Sequence, residues 1–333
     1  KIQKPKKINV KNPDKKRLSA KNEYKSGTEI AIRDAYGMAL RNIAFAHSNV
    51  LAVDAEVSNS TKSEYVKKFV PKQFIEAYIA EQNMVGVVLG LSKKGFNVFA
   101  SSFSAFLSRA HDQIRMSAIS SANFTLAGSH SGVSIGPDGA SQMGLEDIAL
   151  FRSLPESTIF YPSDAVSTEK IVHLCAELKK GIKYIRTTRG KTPVIYDNAE
   201  KFRIGDFKIL KHGKKDKCVL AGAGITLHEA IKAGNELKKQ NIGVAVADLY
   251  CIKPFNSKKF ISFVKKHGNK LVITEDHYPE GGIGEMLAEA LENTNIKIKH
   301  LAVREIPHSG TSEQLLEKYG IDWKAIVKEV KRI

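Results

Sequence analysis

The sequence predicts an α/β protein made of two consecutive parallel-sheet domains, and three observations carry that reading. Short apolar, β-branched runs alternate with segments of helical periodicity. The alternation stops at a stretch containing Gly190, Pro193 and Asp197-Asn198, between Thr188 and Gly205, and then resumes. The length of 333 residues is also what two domains need, at roughly 100–200 residues each. Parallel strands require long crossovers, so helices are expected to cover both faces of each sheet.

Taken in order, residues 1–25 lack hydrophobic periodicity and are rich in Lys, Asn and Pro, which reads as a basic linker or arm. The first domain is expected over 26–190. It opens with a helix from Glu29 to His47, where Ile30, Arg33/Asp34, Gly37/Met38, Leu40/Arg41 and Ile43/Ala44 recur at helical spacing, and Asn49 to Val53 follows as a buried strand. Further strands are expected at Phe74–Ile79, Asn97–Ser101, Phe124–Gly128, Thr158–Tyr161 and Lys183–Arg186, with helices at Asn83–Lys94, Phe103–Ser121 and Ser163–Lys180. Residues 191–205 form the expected linker and 206–333 the second domain. Its strands fall at Lys217–Ala221, Val244–Leu249, Lys270–Thr274 and Lys297–Val303, and its helices at Thr226–Lys239, Ser257–His267, Gly284–Glu292 and from Trp323 onward.

A formal charge of +17 invites a nucleic-acid reading, but its distribution argues against one. Residues 1–25 hold ten Lys/Arg against two acidic residues, nearly half of the excess, and the remainder is spread over helix faces without the aromatic interleaving of a single-strand binder. Small anionic substrates fit this balance better than nucleic acid. No apolar run reaches the ~18–20 residues of a membrane span, and the start is too polar for a signal-peptide core. Cys175, Cys218 and Cys251 are odd in number and widely spaced, with no metal-ligand pattern around them. They read as buried thiols of a cytoplasmic protein, with no metal site among them.

Ligands of open parallel sheets lie beyond the carboxyl ends of the strands. The polar residues there are Asp54 and Glu56, Glu81, Ser101-Ser102, His130 and Arg189. Gly222-Ala223-Gly224 opens a helix after a strand, but Leu227 stands where a dinucleotide fingerprint has its third glycine, and no P-loop lysine follows.

Longer runs are more specific. Tyr78 to Met84, Ser102 to Ala110 with Asp112 to Met116, and Gly128 to Gly139 resemble the transketolase family. Phe151-Arg152-Ser153, Tyr161 to Asp164, Glu275 to Tyr278 and Glu280 to Glu285 continue the match in order. The resemblance covers about residues 26–330, and only the second half of a full-length transketolase: the pyrimidine-binding domain and the C-terminal domain. It implies a thiamine diphosphate enzyme that moves a two-carbon ketol unit from a phosphoketose to a phosphoaldose.

By this resemblance Glu81 and His130 are the catalytic residues, Glu81 being the carboxyl that meets the aminopyrimidine ring. Phe103 and Phe106, three apart on an expected helix, become the ring walls. Arg109 stands one turn on, where some transketolases carry Tyr, and Glu56 replaces an aspartate near the cofactor at the dimer interface. Arg33, Ser60, His130 and Arg189 match the positions that grip the substrate phosphate, a task suited to guanidinium forks. Asp138 matches the residue that reads hydroxyl configuration, and Gln142 a substrate contact that is His or Gln in the family.

The Gly-Asp-Gly motif with a downstream Asn, which holds the metal and the diphosphate in the family, does not occur in this sequence. The resemblance therefore implies a separate diphosphate-binding subunit or domain carrying Mg2+ or Ca2+, joined to self-associating copies of this chain in a heterotetramer. Two alternatives stay open: a subunit of a related thiamine diphosphate enzyme, similar to 1-deoxyxylulose 5-phosphate synthase or to the beta subunit of a 2-oxoacid dehydrogenase, and a non-catalytic regulatory paralogue.

Overall fold

The computed structural model describes residues 22–333, so residues 1–21 of the expected arm lie outside the described residues. Its last residues are packed against the first domain. The Asn22 side chain donates to Glu169 at 2.8 Å, and Tyr24 is buried with its backbone N–H on Asn198.

Seven strands form the first sheet, in the order Cys251–Lys253, Thr158–Phe160, Ile182–Arg186, Phe124–Ser129, Asn97–Phe103, Val50–Asp54 and Phe74–Glu76. All pairs are parallel except that of Cys251–Lys253 with Thr158–Phe160. Val50–Asp54 and Phe124–Ser129 are buried along their whole length, as strands covered on both faces must be. One face packs against helices Ile32–Ala46 and Ala165–Glu177, through Ala35, Ala39, Ile43, Ile171 and Val172. The other packs against Glu81–Lys93 and His111–Ile119, through Met84, Val85, Val88 and Ile114.

The second sheet has five strands, in the order Lys297–Leu301, Lys270–Thr274, Val219–Gly222, Ala245–Asp248 and an antiparallel edge, Lys208–Lys211. Helices Ile225–Lys239 and Trp323–Arg332 cover it on one side with Leu227, Ala230, Leu237, Ile326 and Val330. Asn256 and Asp322 cap Ser257–Lys266 and Trp323–Arg332 through their side chains.

Several expected elements differ. Glu29–Ala31 is a strand rather than a helix start, because it pairs with Lys191–Pro193 and so takes backbone bonds a helix would use. Phe103 ends a strand, a 3-10 turn spans Phe106–Ala110, and the helix begins only at His111. Lys208–Lys211, Cys251–Lys253, Asp147–Arg152 and the capped helix Ser312–Lys318 are additional.

The two halves are joined by buried charge. Arg186, fully buried, donates to Asp147 Oδ2 and Asp276 Oδ1, each at 2.8 Å. Tyr184 and Tyr161 add hydroxyl bonds to the same two carboxylates. Such a cluster is no guarantee of net stability, but removing one member leaves an uncompensated buried charge. Asp248, held by Ser163 and Tyr196, makes a second tie; burial pushes its carboxyl up to about 7.

Candidate active site

The candidate residues sit on strand ends, loops and first helical turns around the carboxyl ends of the first sheet's strands. Glu81 is the first residue of helix Glu81–Lys93, where the helix dipole favours a carboxylate. It is 3% exposed. Ser102 Oγ donates to Oε1 at 3.3 Å, and Arg109 reaches the two oxygens at 3.5 and 3.4 Å. These contacts are long, so a buried carboxylate is left with bonding capacity to spare. It lines a cavity of ≈ 680 Å³ together with Ile79, Gln82, Asn83 and Arg109.

Four flat groups are stacked beside this cavity. His130 lies on Phe103 with ring centroids 3.9 Å apart, Phe103 on Phe106 at 5.0 Å, and the Arg109 guanidinium over Phe106 at 4.8 Å. Phe103 and Phe106 thus meet, though as a strand end and a 3-10 turn rather than as one helix face. Arg109 stands between Phe106 and Glu81, and its side chain is half-exposed.

His130 follows the strand Phe124–Ser129 with φ +60°. Ser129 Oγ and His130 Nδ1 are 2.9 Å apart, and Nε2 is 4.0 Å from Asp138 Oδ2. Burial first, and then the charge of Arg33, pushes the imidazole down to about 4, with Asp138 opposing. The ring is therefore neutral at neutral pH. Arg189 donates to Asp138 Oδ1 at 2.6 Å. Arg33 donates to the Ser60 backbone carbonyl at 3.1 Å, burial lowers its pKa, and its buried Nε has no partner.

Arg33, Ser60, His130, Asp138 and Arg189 are thereby brought together from four separate stretches of chain. Gln142 lies half-buried on the turn Ala140–Gln142, close in sequence to Asp138. Glu56 is not brought to the Glu81 cavity. It is exposed, with φ +64°, and its N–H donates to Glu76.

Asp54, expected among the polar residues at the strand ends, has a supporting role that the sequence does not show. Asp54 accepts from Val57 N, Thr61 Oγ1 and Ser63 Oγ and so fixes the loop carrying Ser60; burial raises it to about 7. Arg186 donates to the Gly144 carbonyl, and Gly144 is bonded through its backbone to His130 and Gly132. No local signal marks that link, although Asp276 belongs to a run that carried the resemblance.

Family comparisons add a second line of evidence. Residues 28–194 match the transketolase pyrimidine binding domain, and residues 205–326 match the transketolase C-terminal domain. The chain belongs to the transketolase family. Transketolase of Homo sapiens is 47% identical over 317 residues, 95% of this chain and 51% of that protein. Transketolase-like protein 2 of Mus musculus is 49% identical over 310 residues, 92% of this chain and 49% of its own length. The chain spans about half the length of the curated relatives it matches. Among solved structures, a split-gene transketolase in an inactive beta4 tetramer superposes with a TM-score of 0.82 at 33% identity, covering 92% of this chain and 98% of that one. Transketolase from Campylobacter jejuni shares the fold, with a TM-score of 0.81 at 20% identity over 97% of this chain and 50% of its own. No helix among the described residues is long and apolar enough to cross a membrane.

Proposed function

We propose that this chain is the pyrimidine-site and C-terminal half of a transketolase that transfers a two-carbon ketol unit from a phosphoketose to a phosphoaldose. The observation that carries this reading is the buried, under-bonded carboxylate of Glu81 at the Arg109-flanked cavity, next to the aromatic stack and the arginine cluster. These residues fit the aminopyrimidine half of thiamine diphosphate: a carboxyl for a ring nitrogen and flat apolar faces for the ring. They do not fit its metal. Among the described residues no group of three or more His, Cys, Asp or Glu could hold one. In this reading the ligands for Mg2+ or Ca2+ belong to a diphosphate-binding partner, in a heterotetramer with two copies of this chain, because the family's Gly-Asp-Gly motif does not occur in this sequence.

Thiamine diphosphate, when bound, supplies the nucleophilic thiazolium carbon that takes up the two-carbon unit. Glu81 holds a proton at the ring nitrogen, which Arg109 permits by moving off the carboxylate. His130, neutral and fixed at Nδ1 by Ser129, offers Nε2 to a substrate oxygen. Arg33 and Arg189 bind the phosphate dianion, and Asp138, between Arg189 and His130, bonds a sugar hydroxyl. The three buried thiols suit a reducing cytoplasm.

Calorimetric titration with cofactor and magnesium tests the division of labour. The chain alone is expected to bind weakly and turn nothing over, and a diphosphate-domain partner to restore both. Micromolar binding and turnover by the chain alone would overturn the half-enzyme reading.

A further inference from the structure

Arg33 and Arg189 also line a second space, an open crevice of ≈ 760 Å³ between the two domains. Ser134 and Gly136 of the first domain and the loop Ser309-Gly310-Thr311 of the second form its other walls. Two of its donors are unspent. Ser134 is 5% exposed and its Oγ has no partner, a condition that costs free energy unless a ligand completes it. Arg33 Nε is buried without a partner, and among the described residues Arg33 forms no ion pair. Asp34 and Asp138 offset its charge from a distance without bonding it, which leaves the guanidinium open to an anion.

The second domain is brought to this spot by close backbone approach. A Cβ on Gly136 would lie 3.1 Å from the Gly310 carbonyl oxygen, and one on Gly139 would lie 2.9 Å from Ser309 Oγ. Both glycines have positive φ, +80° and +82°, so the loop carrying Asp138 meets the second domain only because side chains are missing there.

We propose that this inter-domain crevice is the outer half of a phosphate subsite, in which the C-terminal domain's Ser309 and the buried Ser134 meet the phosphate monoester end of the sugar alongside Arg33 and Arg189. The proposal rests on the sugar-phosphate reading of the two arginines and extends it, by giving the C-terminal domain a direct share in substrate binding. Two neutral hydroxyls suit the outer oxygens of a dianion whose charge the arginines already offset.

The test is titration of the full chain with an aldopentose 5-phosphate, with inorganic phosphate and with the unphosphorylated pentose, followed by calorimetry and phosphorus NMR. Ser134→Ala and Ser309→Ala should each weaken the ester roughly 3–10-fold, the worth of one ordinary hydrogen bond. Ser309→Glu, at an exposed position, should weaken the ester and inorganic phosphate by more than about tenfold through like-charge repulsion. Binding of the unphosphorylated sugar should be unchanged, and circular dichroism checks that each variant is folded. If Arg33→Ala weakens the ester while the serine variants, Ser309→Glu included, bind like the wild type, the crevice is not part of the subsite and only the arginine reading survives. If Arg33→Ala binds the ester normally as well, the reading beneath the proposal falls with it.

Discussion

The two domains use left-handed backbone in different ways. In the second domain the non-glycine residues with positive φ are Asn241, Asn269 and Asn293, each just beyond a helix. Asparagine there is an ordinary helix terminator. In the first domain the same conformation is held by Glu56, Tyr78 and His130, which follow sheet strands, by Lys62 and Ser121 at helix ends, and by Glu156. Charged and aromatic side chains gain nothing locally from φ > 0, so the surrounding structure must impose it. The contrast assigns the domains different work. The first is bent against local preference to aim side chains, and the second braces it, through Asp276 on Arg186 and the Gly310 loop beside Gly136.

If aiming is concentrated in the first domain, its most consequential side chain is Glu81. Glu81→Gln keeps the shape and removes the proposed proton-holding group, and turnover of the enzyme reconstituted with the proposed diphosphate partner should fall by roughly 10²–10⁴-fold. Sugar-phosphate affinity should hardly change. Near-normal turnover would strip Glu81 of its role. Bracing is tested next by Arg186→Met, which leaves Asp147 and Asp276 buried without their cation. Urea unfolding should register a loss of about 3–5 kcal/mol, whereas Lys239→Met, which removes an exposed pair with Glu236, should leave the midpoint unmoved. Equal shifts would mean that the buried cluster does not brace the domains.

What was legible in the sequence follows the same division. Lys270–Thr274 was readable to the residue because an apolar run is bounded by Gly268-Asn269 and by Glu275-Asp276. Cys251–Lys253 was not, since three residues have no period of their own and their partner strand belongs to the other domain. Ser312–Lys318 does carry a local signal: Thr311 and Gln314 stand at capping-box spacing and bond reciprocally. In the site, a colinear motif pointed to His130 and Asp138, and single family positions to Arg33 and Arg189, which the fold gathers from distant stretches. Ser129 and Ser134 stand inside the run Gly128 to Gly139 without a role of their own, and Ser309 lies outside every run, because a serine's role depends on what lies opposite it, and that is settled only by packing. Phe103 was assigned to a helix from its spacing to Phe106, but strand pairing with Ser129 outweighed that short pattern.

Smaller effects separate the charges of the site. Arg33→Ala or Arg189→Ala should each cost roughly 1.5–3 kcal/mol of sugar-phosphate binding, the range for a charge-assisted bond, and much less for unphosphorylated acceptors. Equal losses for both substrate classes would remove the arginines from the phosphate site. His130 should titrate by NMR near pH 4. Because the native ring resists protonation while the unfolded one accepts a proton near 6.5, this group's contribution to stability is complete above about pH 6.5 and is lost as pH falls toward 4. Arg33→Ala should move the midpoint upward, since burial is the larger cause and the Arg33 charge the next. A midpoint that stays put would mean that Arg33 is electrically remote from the imidazole.

The last prediction bears on the strain itself. Tyr78 holds φ +58° two residues after the strand Phe74–Glu76, is 67% exposed, and leads directly to Glu81. Its ring buries little, so Tyr78→Gly should relieve more than it loses: the left-handed region costs an L-residue roughly 1–2 kcal/mol, against about 0.5–1 kcal/mol for the added freedom of glycine in the unfolded chain. A net gain of roughly 0.5–1 kcal/mol in urea unfolding is expected, accompanied by lower turnover as the approach to Glu81 loosens. Asn241→Gly, in the same conformation on the second domain, should change stability by only a few tenths of a kcal/mol, because asparagine already tolerates it. If both glycines stabilise equally, the first domain stores no more strain at this loop than the second does at an ordinary helix end.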